Sequence, residues 1–107
     1  MDNNDKDSLM FTQLVFMFNA LAMQQLGKIK NPMSGNVERD MPRAHASIDM
    51  LEMLQHKTKG NVNVDEERFL SSILKDLRLN YVDESSKPDP PKTEDVPTET
   101  DKGVEGS

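Results

Sequence analysis

From Ser8 to Gly27 the chain carries no charged side chain, although 30% of all its residues are Asp, Glu, Lys or Arg. Within that stretch apolar residues fall at almost every angle of a helical wheel turned about 100° per residue. Leu9, Phe16 and Met23 point one way, Leu14, Leu21, Met10 and Met17 nearly the opposite way, and Phe11, Phe18, Ala22 and Val15 fill a third side. The pattern predicts a first helix over about 9–26, after an N-terminal arm at 1–8 expected to be disordered. Asp2, Asp5 and Asp7 precede it, Ser8 can cap it, Gly27 suits the residue just past its end, and Lys28 and Lys30 suit the negative end of its dipole.

Two further helices follow. Residues 28–40 hold the turn dipeptides Asn31-Pro32 and Ser34-Gly35, with room for a short extended piece around Asn36–Glu38. The second helix is expected over about 41–58. Asp40 is its N-cap, Pro42 lies in its first turn, and Lys57, Lys59 and Gly60 mark its end. Met41, Ala44, Ile48, Leu51 and Leu54 make its main apolar stripe. The third is expected over about 64–82. Asn63 and Glu66 stand at capping-box spacing, and Phe69, Leu70, Ile73, Leu74, Leu77 and Tyr81 line one face. Residues 83–107 hold Pro88, Pro90, Pro91 and Pro97 among acidic and small polar residues, and read as a disordered acidic tail. The expected fold is therefore all-α, a small three-helix domain with such a tail.

A helix apolar all round is either buried all round or in lipid. Two short helices with one apolar stripe each cover about half the circumference of a third, and a body this small has a marginal core of its own. The simplest resolution is a homo-oligomer, a dimer first, with first helices packed together in a four- or six-helix bundle. Leu9, Phe11, Leu14, Val15, Phe16, Phe18, Leu21 and Met23 are the expected interface residues. The competing reading is a segment that inserts into or lies on a membrane. Against it stand Gln13, Asn19, Gln24 and Gln25, and the lack of a flanking Trp or Tyr anchor.

Charge narrows the classes of function. The net charge is −6, but residues 1–82 hold 10 Lys and Arg against 11 Asp and Glu, while residues 83–107 hold 3 against 8. The near-neutral body lacks the basic footprint of a nucleic-acid binder. The chain has no cysteine, so it has neither a disulfide nor a thiolate metal site. The start MDNNDKDS is acidic rather than positive, unlike a secretory signal, which points to the cytoplasm. No Gly-rich phosphate loop, Gly-x-Ser-x-Gly elbow or His-Glu-x-x-His pair is present, so no catalytic residue and no cofactor is expected.

One constellation could carry chemistry. His45, Asp49, Glu52 and His56 are spaced 4, 3 and 4 and fall within about 60° of one another on the wheel. Two imidazoles and two carboxylates on one face could hold zinc or a similar ion. The same stripe is the fully polar face of the second helix, where solvent and ordinary i,i+4 pairs belong, and that is the stronger reading.

The body of the chain also resembles a bacterial family, the domain of unknown function DUF1844. The resemblance rests on FTQLVFMFNALAMQQLGKI at 11–29, NPMSG at 31–35, IDMLEMLQHKTKGN at 48–61 and LKDLRLNYV at 74–82, and covers about residues 9–82. It implies a small cytoplasmic helical protein with no established activity, cofactor or catalytic residue. In such sequences the position matching Asp49 is usually Asp, whereas those matching His45 and His56 are not reliably His, which weighs against a shared metal role. The expected function is a non-enzymatic, homo-oligomeric interaction or assembly factor. A membrane-associated protein and a metal- or ligand-binding protein are the alternatives.

Overall fold

The structure is a computed structural model that describes residues 3–88. It consists of three α-helices, α1 (Asn3–Leu26), α2 (Met41–Lys57) and α3 (Val64–Ser85), with no strand among the described residues. The fold is all-α. Each helix packs on the other two. Ser8 of α1 meets Glu66 at the start of α3, and Lys28, just past α1, meets Asp83 and Glu84 at the end of α3. α1 and α3 therefore run parallel, and α2 returns between their ends.

The core is made from one face of each helix. Val15, Ala22 and Leu26 come from α1, Ala44, Ile48 and Leu51 from α2, and Leu70, Leu74 and Leu77 from α3; all are buried. The spacings of three, four and seven residues within each set put each trio on one stripe. Phe11, Phe18, Met23, Met41, Leu54, Phe69, Ile73 and Tyr81 pack around the rim.

Local chemistry sets the helix ends. The Asp40 carboxylate accepts from the Arg43 N–H, and proline occupies the first turn of α2. Thr58 closes α2: its N–H and its hydroxyl both donate to Leu54 O, at 3.0 and 2.8 Å. Asn63 and Glu66 form the reciprocal capping box. At the end of α1, Gly27 has φ +82°, the Gly27 N–H donates to Gln24 O and the Lys28 N–H to Met23 O. These paired bonds are the Schellman arrangement, and its left-handed residue favours glycine.

Three expectations need correction. α1 begins at Asn3, so most of the arm at 1–8 is helical; Asp5 lies in its first turn, where a carboxylate suits the dipole. Ser8 is consequently not an N-cap but an interior residue whose hydroxyl donates to Glu66. The tail expected from residue 83 does not begin there, because Asp83, Glu84 and Ser85 are the last turn of α3, held there by cations from the α1–α2 connection. The α1–α2 connection is closed by Asn31, whose N–H donates to Asn36 O and whose carbonyl accepts from the Gly35 N–H. The remainder of the tail, 89–107, lies outside the described residues.

Gly27 and Gly35 both have positive φ, but a Cβ at Gly27 would lie 3.3 Å from Arg39 Cβ, while one at Gly35 meets nothing within 4 Å. Gly27→Ala is expected to destabilise the fold by about 1–2 kcal/mol from the left-handed backbone alone, with a further loss as Arg39 shifts. Urea unfolding followed by circular dichroism should show a lower midpoint for Gly27→Ala than for Gly35→Ala, at unchanged slope.

Candidate interaction surface

The two sides of α1 have opposite fates. The side bearing Val15, Ala22 and Leu26 is sealed by α2 and α3. The other side presents Leu9, Met10, Leu14, Phe16, Met17 and Leu21 to solvent, with Met17 67% and Phe16 53% exposed. Gln13 and Ala20 are also exposed within this arc, and Gln24 is half-buried at its end. No charge interrupts the arc. Phe16 marks its border with α3, where its ring meets Phe69 edge-on at a centroid distance of 5.0 Å. Isolated exposed apolar residues are ordinary, but a contiguous patch on one helix marks a place where something packs.

The eight residues expected to face a second copy thus divide. Leu9, Leu14, Phe16 and Leu21 are exposed. Val15 is buried within its own chain, and Phe11, Phe18 and Met23 pack against the chain's own core. The body can cover one side of α1, and these four lie on that side. Met10 and Met17 belong to the open face and were not among the eight. Their helical direction, shared with Leu14 and Leu21, is the signal that could have placed them there.

The His–carboxylate stripe is not gathered into a site. His45 Nδ1 lies 3.1 Å from Asp49 Oδ2, and its ring stands edge-on to Tyr81 at 5.7 Å. Glu52 is paired with Arg78 of α3 at 2.9 Å. His56 lines a groove at the α2–α3 turn together with Gln55, Thr58, Lys59, Val62, Glu67 and Leu70. Among the described residues, no three His, Asp or Glu side chains converge on a point that could hold an ion.

A cluster not foreseen from the sequence ties the opposite end of the bundle. The buried Glu84 accepts from Arg39 Nη1 at 3.0 Å and from Lys87 Nζ at 3.0 Å, and lies 2.8 Å from Lys28 Nζ. Arg39 also donates to the carbonyls of Glu84 and Lys87. Asp83 pairs with both lysines. The hydrogen bond from Lys28, followed by those from Lys87 and Arg39, holds the Glu84 carboxyl down at about 2 against burial that works the other way. Asp83 is lowered by the same lysines, and Lys28 is raised, first by Glu84 and then by Asp83. The signal available in the sequence was the position of Asp83 and Glu84: two acids at the negative end of a helix dipole need local cations. At the other end, Glu66 is lowered by the Ser8 hydroxyl and then by the Asn63 N–H. Every one of these shifted groups is thus committed to holding helix ends together.

Residues 8–83 match the model of a protein family described as Domain of unknown function (DUF1844). No curated protein and no solved structure matches the chain.

The depressed Glu84 carboxyl fixes the direction of an acid response. Its contribution to stability is full above the ordinary value of 4.5 and is lost as pH falls through about 2. Asp83 and Glu66 act with the same sign. The urea midpoint should therefore fall as pH drops through this window. Glu84→Gln should lower the midpoint at neutral pH and flatten its decline in acid.

Proposed function

The chain belongs to the family described as a domain of unknown function, DUF1844, and we propose that it is a non-enzymatic, homo-oligomeric interaction or assembly factor of the cytoplasm, a dimer first. The observation that carries this reading is the open, charge-free arc of α1. Burying a Leu, Phe or Met side chain contributes roughly 1.5–3 kcal/mol, and six such residues stand in water along one helix side. A second copy offers the same face in return, which is the self-complementarity that a two-fold dimer needs. A non-enzymatic role is supported by where the shifted ionisable groups lie. Lys28, Glu66, Asp83 and Glu84 are paired between helix ends, and Lys87 with Asp83 and Glu84 at one of them, whereas catalytic acids and bases sit in clefts with a substrate position before them.

A membrane role is the second reading, because α1 over Asn4–Leu26 is long and apolar enough to cross a bilayer by length and composition. Spanning would strip Val15, Ala22 and Leu26 from the core and undo the Ser8–Glu66 and Lys28–Glu84 links. Lying flat on a bilayer would leave the fold intact, so that form is the one to test.

The full chain should elute as a discrete species of twice its 12.1 kDa mass by size exclusion with light scattering, unchanged by added phosphatidylcholine–phosphatidylglycerol vesicles. Leu14→Asp with Met17→Asp should yield a monomer of unchanged helicity, since both side chains are exposed; loss of four buried side chains per dimer raises the Kd at least about 100-fold. A wild-type monomer, or co-migration with vesicles, overturns the reading.

A further inference from the structure

We propose that the second copy packs antiparallel on the open face of α1, in one register that sets Gln13 against the partner's Gln24 and the Asp7 turn against the partner's Lys28–Lys30 segment. The inference rests on the dimer reading above and adds its geometry.

The open arc is apolar except for two amides. Gln13 and Gln24 lie eleven residues apart, close to three full turns, so they share one line along the helix. Gln13 is exposed, and Gln24 is half-buried beside Leu21 at the mouth of the α1–α2 connection. A dry interface that covered either amide without a partner would bear the cost of an unsatisfied polar group. An amide carries both donors and an acceptor, so two amides facing each other satisfy one another. Opposed helices that place Gln13 of each copy on Gln24 of the other make that pairing twice, once at each end of the apolar stretch. A parallel arrangement also juxtaposes like amides, so amides alone do not choose the direction.

Charge chooses it. Asp7 lies six residues before Gln13, and Lys30 six residues after Gln24. Matched heights in the register that pairs the amides bring the turn at residues 5–7, with Lys6 on the amide line and Asp7 on its flank, beside the partner's Lys28–Lys30 segment, so a turn of net charge −1 meets two cations. Both Asp7 and Lys30 are exposed. In the parallel arrangement Asp7 meets Asp7 and Lys30 meets Lys30. The helix dipoles act in the same direction, since opposed helices set each positive end beside a negative one. The sequence between the amides suits the same register, with Phe16 against the partner's Leu21 and the exposed Met17 against the small Ala20. Leu9 and Met10 then reach the partner's connection, where Ile29 and Met33 are exposed.

The chain has no cysteine, so single cysteines report the geometry cleanly. Full-length Gln13→Cys, carrying a mass tag, is mixed with full-length Gln24→Cys and oxidised, beside light scattering of the wild type. The expected result is a wild-type dimer and a disulfide that joins one variant to the other, in excess over links within either variant. A wild-type dimer whose links join each variant to itself, or join neither, overturns the antiparallel register while the dimer reading stands. A wild-type monomer overturns both. Charge reversal gives a second readout that leaves the amides intact. At low salt Asp7→Lys and Lys30→Asp should each raise the Kd about tenfold, and the double variant should recover the wild-type value. A double variant weaker than either single variant overturns the proposal.

Discussion

Two helices cannot surround a third that is apolar on every side, and most of this structure follows from that shortage. α2 and α3 each bring a single stripe of buried residues, and together they seal only the side of α1 that bears Val15, Ala22 and Leu26. Sealing that side fixes the rotation of α1. It also leaves Leu9, Met10, Leu14, Phe16, Met17 and Leu21 in solvent, because nothing in the described body is left to cover them. The interior therefore holds small side chains and leucines, with the aromatic rings pushed to its rim. Phe16 is the visible compromise: half exposed, it reaches only the edge of the Phe69 ring.

The bundle's ends hold the register of α1 against α3. At one end the Ser8 hydroxyl meets the same Glu66 carboxylate that caps α3, so a single side chain orders the start of α3 and its distance from α1. At the other, Glu84 collects Lys28, Arg39 and Lys87. A buried ion pair adds little net stability once the desolvation of its charges is counted, but leaving one partner alone is costly. The Glu84 cluster therefore acts on register. A slip of α1 against α3 would separate Lys28 from Glu84 and strand a buried carboxylate. Gly27 belongs to the same arrangement, because its missing Cβ lets the Arg39 stem pass close beneath the end of α1.

What could be read from the sequence was what neighbours a few residues apart decide. Asp40, the Asn63–Glu66 box and Gly27 are local devices, and each stands where its spacing put it. The apolar circumference of α1 was equally plain. What could not be read was the division of that circumference, because rotation depends on partners about fifty residues away; Val15 and Leu14 are adjacent in sequence and end on opposite sides of the surface. The early start of α1 was hidden because Asn4–Asp7 are polar and exposed, with no apolar period to reveal a helix. The Glu84 cluster joins Lys28, Arg39 and Glu84 across 45 residues or more, and in sequence its acids merge with the acidic tail beyond them. The stripe from His45 to His56 shows the complementary limit. A shared helix face was visible, but Tyr81 of α3 meets His45 and Arg78 pairs with Glu52, contacts that no spacing within α2 reveals.

The amides of α1 bear on the choice between lipid and protein as the cover for its open face. The sequence has four in this stretch, Gln13, Asn19, Gln24 and Gln25. The fold takes up Gln25, whose carbonyl accepts from the Ser47 hydroxyl at 2.7 Å, and half-buries Asn19. Gln13 and Gln24 are the two left along the open line. In hydrocarbon they would be donors and acceptors without partners, at several kcal/mol each by order of magnitude. In water they are satisfied, but the six apolar neighbours are not. A protein surface that offers an amide at the matching height satisfies both requirements. The chain's own face is such a surface when turned end for end, since the spacing from one amide to the acidic end matches the spacing from the other to the basic end.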